Sequence, residues 1–338
     1  RFYKSGIEHG TITALINNNK FEITSLRKDV NTDGRHAKVE FSDNWFEDAS
    51  RRDFTINSIY ADIDGNLYDP FNGKRDLELG KVEFIGDIEK RIKEDYLRIL
   101  RYVRFFLNYS KVDHKDSIKK IIKQNINGIS KISSDRLLDE LKKLVLSKGF
   151  LKISKDKFCQ EIITLVFPQL INLGIFKNIN DYSKKIIEEK DFIFLISLMI
   201  IDNTDNSEYF IYKYNISNED KKRIKFLSNI YSKNLDKSIF KEKNLWKILY
   251  YNGKDYLIDL IDFQIFQNKK LDKNLLKLKT FFNTQEVPKL EVKGKTLIEK
   301  FNFKEGKELG EKLTEIEEFW IENSFKISDQ ELNKIIKN

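Results

Sequence analysis

The pattern of apolar residues changes period once along the chain, and that change limits the folds available to it. Up to about residue 87, short runs alternate apolar and polar positions, as half-buried strands do. GTITALI (10–16) and KFEITSLR (20–27) are two such runs, joined by an Asn-rich turn. KDVNTDGRHAKVEF (28–41) follows as a polar loop. DNWFEDASRRDFTINSIYADID then passes from a charged, helical-looking stretch into an alternating one. Asp64-Gly65-Asn66 turns that run back into NLYDPF, a hairpin signal. From about residue 88 onward the apolar residues recur at helical spacing. DSIKKIIKQNI, SSDRLLDELKKLVL, KNLLKLKTFF and GKELGEKLTEIEEFWI each write an apolar stripe on one helix face. The chain has three prolines, and Pro168 and Pro288 fall where helical runs break. The expected architecture is α+β: a small β-containing unit followed by a long all-α array.

Several function classes fall away on composition. With 338 residues the chain is long enough for two or more compact units. Charged residues make up 34% and hydrophobic ones 40%, which is a globular balance. The single cysteine, Cys159, excludes an internal disulfide framework and a cluster built from cysteines, and three scattered histidines argue against a His-built metal site. No apolar run approaches the roughly 18 residues of a membrane span, and no signal-peptide pattern is present. The expected setting is reducing and cytoplasmic. A net charge of +8 leans weakly toward an anionic partner such as nucleic acid.

Three stretches carry chemistry. In RRDFTINSIY (51–60), Arg52 offers a guanidinium fork suited to phosphate and Asp53 an acceptor suited to a ribose hydroxyl. The same cluster also reads as solvated charge at the end of an element. YDPFNGKRDL (68–77) reads as a structural loop built on Asp-Pro and Asn-Gly turn chemistry. EDYLRILRYVRF (94–105) places arginines at 98, 101 and 104 in a run of Leu, Ile, Val and Phe. Asp95 and Arg98, three apart, are expected to pair. Arginines crowded by apolar neighbours require anionic or acceptor partners.

RRDFTIN, DPFNG.RDL and FIGD...RI.EDYLRILR..RF, in this order and spacing, resemble the class II tRNA nucleotidyltransferase and bacterial poly(A) polymerase family. IEHGTIT (7–13) and FEITSLRKDVNTDGRHA (21–37) extend the resemblance upstream, and PKLEVKGKTLIEKF...GKELGEKLTEIEEFWI (288–321) is similar to the family's tail. The resemblance implies a remnant of a polymerase-β-like nucleotidyltransferase head over 1–87. It implies a helical neck that reads the base over 88–150, a helical body over 151–270 and a tRNA-binding tail over 271–338. The implied activity is template-independent addition of C, C and A to tRNA 3′ ends from CTP and ATP. Asp95 and Arg98 would face the base edge, with Arg101 and Arg104 behind them. Arg52 and Asp53 would hold phosphate and ribose, supported by Asn57.

Such chemistry implies Mg²⁺ held by an Asp-x-Asp pair after a glycine-rich turn. Those elements are expected upstream of the matched region, so no metal ligand is assigned in this chain. Asp62-Ile63-Asp64 spells the pair but sits after RRDFTIN, in the register of a hairpin turn. Glu22, between Phe21 and Ile23 on a strand with an expected inward apolar face, is a candidate third carboxylate beside the missing pair, and Asp53 is the other catalytic candidate. Arg27, on the same run, is a candidate to face the cleft. Poly(A) polymerase and the CC- and A-adding specialists are alternative products. A tRNA- and nucleotide-binding protein without catalysis is the alternative of another class.

Overall fold

In the computed structural model, residues 2–3, 10–17, 19–32, 37–177, 179–232, 237–268 and 271–337 are described. The start of IEHGTIT and residues 33–36 lie outside them. Two compact units account for the chain.

The first unit comprises residues 1–179, 190–200 and 206–217. It opens with β1 (Phe2–Tyr3), β2 (Thr11–Ile16) and β3 (Asn19–Thr24), an antiparallel sheet in that order with Thr13 opposite Glu22. Asn17 takes a left-handed φ of 48° in the turn, a conformation asparagine tolerates. KFEITSLR is not one strand. It breaks after Thr24, where Ser25 N–H donates to Gly10 O, and Arg27 begins a second ladder, β4 (Arg27–Thr32) with β5 (Ala37–Phe41). The expected inward face of β3 is also absent: Phe21 and Ile23 are both about half exposed. Every residue of β3 is exposed, so alternation there does not report a buried side.

Next comes α1 (Trp45–Ser50), capped by Asn44 Oδ1, and then the hairpin β6 (Tyr60–Ala61) with β7 (Leu67–Tyr68). The 62–66 turn forms where Asp64-Gly65-Asn66 predicts it. YDPFNGKRDL, expected as loop alone, turns into a short helix, α2 (Gly73–Leu79). Asp69 accepts from Gly73 N–H and Lys74 N–H at 2.7 and 2.8 Å and so starts it.

The remainder of this unit is helical: α3 (Ile88–Glu94), α4 (Leu97–Tyr109), α5 (Asp116–Asn125), α6 (Ser134–Val145) and α7 (Lys157–Val166). Further on come α8 (Asp181–Glu189), which belongs to the second unit, then α9 (Phe192–Ile200) and α10 (Asn206–Lys213), which return to the first. α4 is the hub. It buries Leu97, Ile99, Leu100, Tyr102, Val103, Phe106 and Leu107, and packs against α3, α6 and α7. α9 is apolar on every side and wholly buried, as a central helix must be.

The second unit comprises 180–189, 201–205 and 218–338. With α8 it holds α11 (Asn218–Ser232), α12 (Glu242–Asn252), α13 (Lys254–Gln267), α14 (Lys273–Thr284), α15 (Gly294–Phe301), α16 (Lys307–Glu322) and α17 (Asp329–Lys337). Leu297, Ile316 and Leu332 knit the last three helices together. Among the described residues, no helix is long and apolar enough to cross a membrane.

Candidate nucleotide-reading site

One short backbone pairing positions the RRDFTIN segment. Thr55 N–H donates to Glu83 O and Ile85 N–H to Asp53 O, both at 3.0 Å, around an antiparallel bridge between Phe54 and Phe84. Phe54 is fully buried, with ring centroids 4.7 Å from Phe84 and 5.1 Å from Phe105. Burying Phe54 turns the neighbouring Asp53 toward α4. Asp53 is 5% exposed. Its Oδ1 accepts from Phe54 N–H at 3.1 Å and Asn57 Nδ2 at 2.9 Å, and its Oδ2 accepts from Arg101 Nε. Burial alone would raise the Asp53 pKa. The hydrogen bond and charge of Arg101, then Asn57 and the charge of Arg98, outweigh it and hold the carboxyl below its usual value. Asp53, Asn57 and Arg101, three of the residues singled out from sequence, therefore meet.

Every rung of the arginine ladder meets a protein carboxylate. Arg98 Nη1 reaches Glu94 Oε2 at 2.6 Å and Arg91 O at 2.8 Å. Arg101 takes Asp53, and Arg104 Nε reaches Glu140 Oε1 on α6 at 2.5 Å. The requirement for anionic partners is met inside the fold.

The expected Asp95–Arg98 pair does not form. Asp95 ends α3 in an extended conformation (φ −153°), while Arg98 lies in the first turn of α4. The chain bends between them, so the spacing of one continuous helix does not apply. Asp95 Oδ2 instead accepts from Arg136 Nη2 at 2.7 Å, and its Oδ1 from Leu97 N–H at 3.1 Å. The carboxylate and the guanidinium are each steadied by a separate partner.

Arg52 is also engaged. It donates to Asp48 Oδ2 at 3.2 Å, to Tyr60 Oη at 3.1 Å and to Asn57 O at 3.2 Å. About a third of it remains exposed. Asp48, 1% exposed, gathers Arg51, Arg52 and the Tyr60 hydroxyl. Burial together with the Asp48 hydrogen bond pushes the Tyr60 hydroxyl up to about 12.

Sequence reasoning missed Arg91, which binds this region together. Its guanidinium donates to Ser50 O and Arg52 O at 2.5 Å, to Ile85 O at 3.1 Å and to Glu94 at 2.9 Å. It also missed Glu94, Arg136 and Glu140. Glu140 carried a signal: it sits between Leu137, Leu141 and Leu144 on the buried stripe of α6, where an acid requires a cation.

The remaining candidates stand apart. Glu22 is exposed on β3 and makes no hydrogen bond or ion pair with these residues. Arg27 donates its N–H to Asp48 Oδ1 at 3.4 Å and accepts from Arg51 Nε at 3.0 Å, so its backbone is tied to the α1 cluster. Asp62 Oδ1 accepts from Asp64 N–H and Asn66 N–H at 2.9 and 2.8 Å, which makes Asp-Ile-Asp a turn device. Among the described residues, the single group of three or more metal-ligating side chains is His114, Asp156 and Cys159, whose nitrogen and sulfur donors do not suit Mg²⁺. The described residues thus do not fit the Mg²⁺ site that the resemblance implies.

Comparison with known proteins agrees with the motif reading. Residues 1–83 match the model of the poly A polymerase head domain, and 185–336 match the model of tRNA nucleotidyltransferase domain 2. The human mitochondrial CCA tRNA nucleotidyltransferase 1 is 50% identical over 146 residues, 42% of this chain. That match spans a third of the human protein's length. The CCA-adding enzyme of Streptococcus sanguinis is 31% identical over 332 residues, covering 92% of this chain and 77% of that protein. The Bacillus stearothermophilus CCA-adding enzyme in complex with CTP shares the fold, with a TM-score of 0.66 over 96% of this chain and 80% of that one at 20% identity.

Proposed function

Because the chain belongs to the CCA-adding family of tRNA nucleotidyltransferases, we propose that it selects CTP and ATP for template-free addition to tRNA 3′ ends, with Asp95 and Arg98 reading the base. The observation that carries this reading is the separate anchoring of the two side chains. Arg136 holds the Asp95 carboxylate and Glu94 holds the Arg98 guanidinium, on either side of the α3–α4 bend. Cytosine and adenine both present an exocyclic amine beside a ring-nitrogen acceptor. A fixed carboxylate accepts from the amine and a fixed guanidinium donates to the acceptor. Uracil and guanine place a carbonyl where the amine would be. Against Asp95 that sets acceptor against acceptor and leaves a desolvated group unpaired, which favours rejection.

Asp53 and Arg101, with Asn57 and the exposed edge of Arg52, are assigned to ribose and phosphate. Arg104, tied to Glu140, supports the ladder from behind. The likeness to the streptococcal enzyme favours CCA as the product over poly(A), CC or A alone. tRNA is the proposed acceptor, with the helical second unit, which matches the family's domain 2 model, contributing to its binding. The Mg²⁺ implied by this chemistry would be held by the Asp-x-Asp pair that the resemblance places upstream of the matched region. The second reading is that this stretch binds nucleotide and tRNA without completing the transfer.

One experiment addresses both readings. Binding of the four nucleoside triphosphates is measured by calorimetry, alongside incorporation of labelled CTP and ATP into tRNA lacking its terminal CCA. CTP and ATP are expected to bind at least about tenfold more tightly than UTP and GTP, a difference of about 1.4 kcal/mol. Arg98→Ala is expected to erase most of that gap. Equal binding of all four by the unaltered chain removes the base-reading assignment. Binding without incorporation, by an N-terminally extended form as well, selects the second reading.

A further inference from the structure

Away from the arginine ladder, His114, Asp156 and Cys159 bring three potential ligand atoms within 4.8 Å of one another. His114 comes from the link between α4 and α5. Asp156 is the N-cap of α7 and Cys159 lies three residues on, so the first helical turn presents both side chains together. His114 Nε2 stands 2.9 Å from Asp156 Oδ2 and 3.7 Å from Cys159 Sγ. A ring nitrogen carries one hydrogen or one lone pair there, so it serves only one of these neighbours.

We propose that this cluster is a site for one borderline-soft divalent cation of the Zn²⁺ class, bound by His114 Nε2, Asp156 Oδ2 and Cys159 Sγ. A four-coordinate ion with ligands at about 2.0–2.3 Å sets ligand–ligand edges of about 3.3–3.7 Å. The nitrogen–sulfur edge already has that length. The nitrogen–oxygen edge, short because a proton bridges it, opens by a few tenths of an ångström when a larger cation takes the proton's place. An imidazole, a thiolate and one carboxylate favour Zn²⁺, Co²⁺ or Cd²⁺ over Mg²⁺.

The surroundings already orient these ligands. The second nitrogen of His114, Nδ1, shares a hydrogen bond of 2.9 Å with the buried Tyr102 hydroxyl, which leaves Nε2 to the cluster. Phe106 stacks on the imidazole at a centroid distance of 3.5 Å, and Phe158 meets it edge-on at 4.7 Å. Asp156 Oδ1 caps α7 by accepting from Cys159 N–H at 2.9 Å, which frees Oδ2. Cys159 is fully buried, while Asp156 keeps a partly exposed edge where a water would complete the coordination. The protons balance. The thiol proton leaves to solvent. The imidazole proton moves from Nε2 to Nδ1, where it donates to the Tyr102 oxygen. The bound cation would fasten α4 and its following link to the start of α7.

The sequence contains one cysteine, which makes the test specific. The full chain, kept reduced, is titrated with Co²⁺. One equivalent is expected to give tetrahedral visible bands and a thiolate-to-cobalt charge-transfer band, both bleached by Zn²⁺. Cys159→Ser is expected to abolish the charge-transfer band. Asp156→Asn retains a capping side chain, so α7 still starts normally, and it is expected to weaken Zn²⁺ binding by about tenfold or more. Zn²⁺, unlike Mg²⁺, is expected to raise the unfolding temperature of the unaltered chain. Absence of the charge-transfer band, or equal Zn²⁺ affinity in the unaltered and Asp156→Asn proteins, overturns the proposal.

Discussion

Removing the Arg101 guanidinium should destabilise the first unit and do so in a pH-dependent way. Among the described contacts, Asp53 Oδ2 has Arg101 as its donor, whereas Oδ1 keeps Phe54 N–H and Asn57. Arg101→Ala therefore strands a carboxylate that is 5% exposed. Breaking a buried ion pair costs about 3–5 kcal/mol. Arg101 is itself 27% exposed, so water enters the vacated space and reduces the expected penalty to about 2–3 kcal/mol. Asp53→Asn keeps the shape, removes the charge and should cost less, about 1–2 kcal/mol. The two changes should not add, and a coupling of about 1–2 kcal/mol is expected from the double variant. The pH dependence follows from the depressed carboxyl. Asp53 titrates below the ordinary aspartate range in the folded state, so its contribution is complete above that range and disappears as pH falls through the folded pKa. The Arg101→Ala penalty should be largest near pH 7 and shrink toward pH 3, as the stranded carboxyl takes up a proton. Because two units unfold in one chain, hydrogen exchange of α4 peptides in urea is the appropriate readout. A penalty below about 0.5 kcal/mol at pH 7, a coupling near zero, or an undiminished penalty at pH 3 refutes the reasoning.

Arg136→Ala removes the partner of Asp95, but both side chains are partly exposed, so stability should change by less than about 1 kcal/mol. The preference for CTP over UTP should fall severalfold, and an unchanged binding ratio would show that Arg136 does not position Asp95. Gly149 sits where an added Cβ would collide with Leu107 O and the Asn108 backbone, so Gly149→Ala should cost about 1–3 kcal/mol, and an unchanged melting temperature would contradict that packing.

Local chemistry made much of the fold legible. The 11–24 hairpin, the 62–66 turn and the helices after residue 88 follow from period and turn residues. What failed had a tertiary cause. Alternation on β3 resembles a buried face, yet Phe21 and Ile23 are exposed, because alternation records the pleat whether or not a layer covers it. The Asp95–Arg98 pairing assumed one helix across residues 94–105. The structure ends α3 at Glu94 and restarts at Leu97, and nothing in that stretch breaks a helix by propensity alone. Glu94 lies four positions before Arg98, but the partners of Arg101, Arg104 and Asp95 lie far away in sequence. Asp53 and Arg101 are 48 positions apart, Asp95 and Arg136 are 41, and Arg104 and Glu140 are 36. The motifs thus showed which residues carry charge, while the identity of the distant counter-ions required the packed structure.

This distribution of counter-ions bears on how a protein surface can stand in for a template. Selectivity between bases depends on leaving a wrong partner unpaired, and a mobile side chain evades that penalty by turning away. The three arginines of α4 are fastened to three different elements: Glu94 on α3, Asp53 beside the Phe54–Phe84 bridge, and Glu140 on α6. Leu97, Ile99, Leu100 and Val103 bury the rest of the helix, so α4 cannot rotate without breaking several ion pairs and the core together. Arg91 adds a further tie by holding the backbone of Ser50 and Arg52 against α3. A ladder that looks like misplaced charge in an apolar helix is thereby an anchoring device. It fixes the direction of Arg98, which in the proposed reading faces the base together with the Arg136-held Asp95, and the placement of Asp53, proposed for ribose and phosphate.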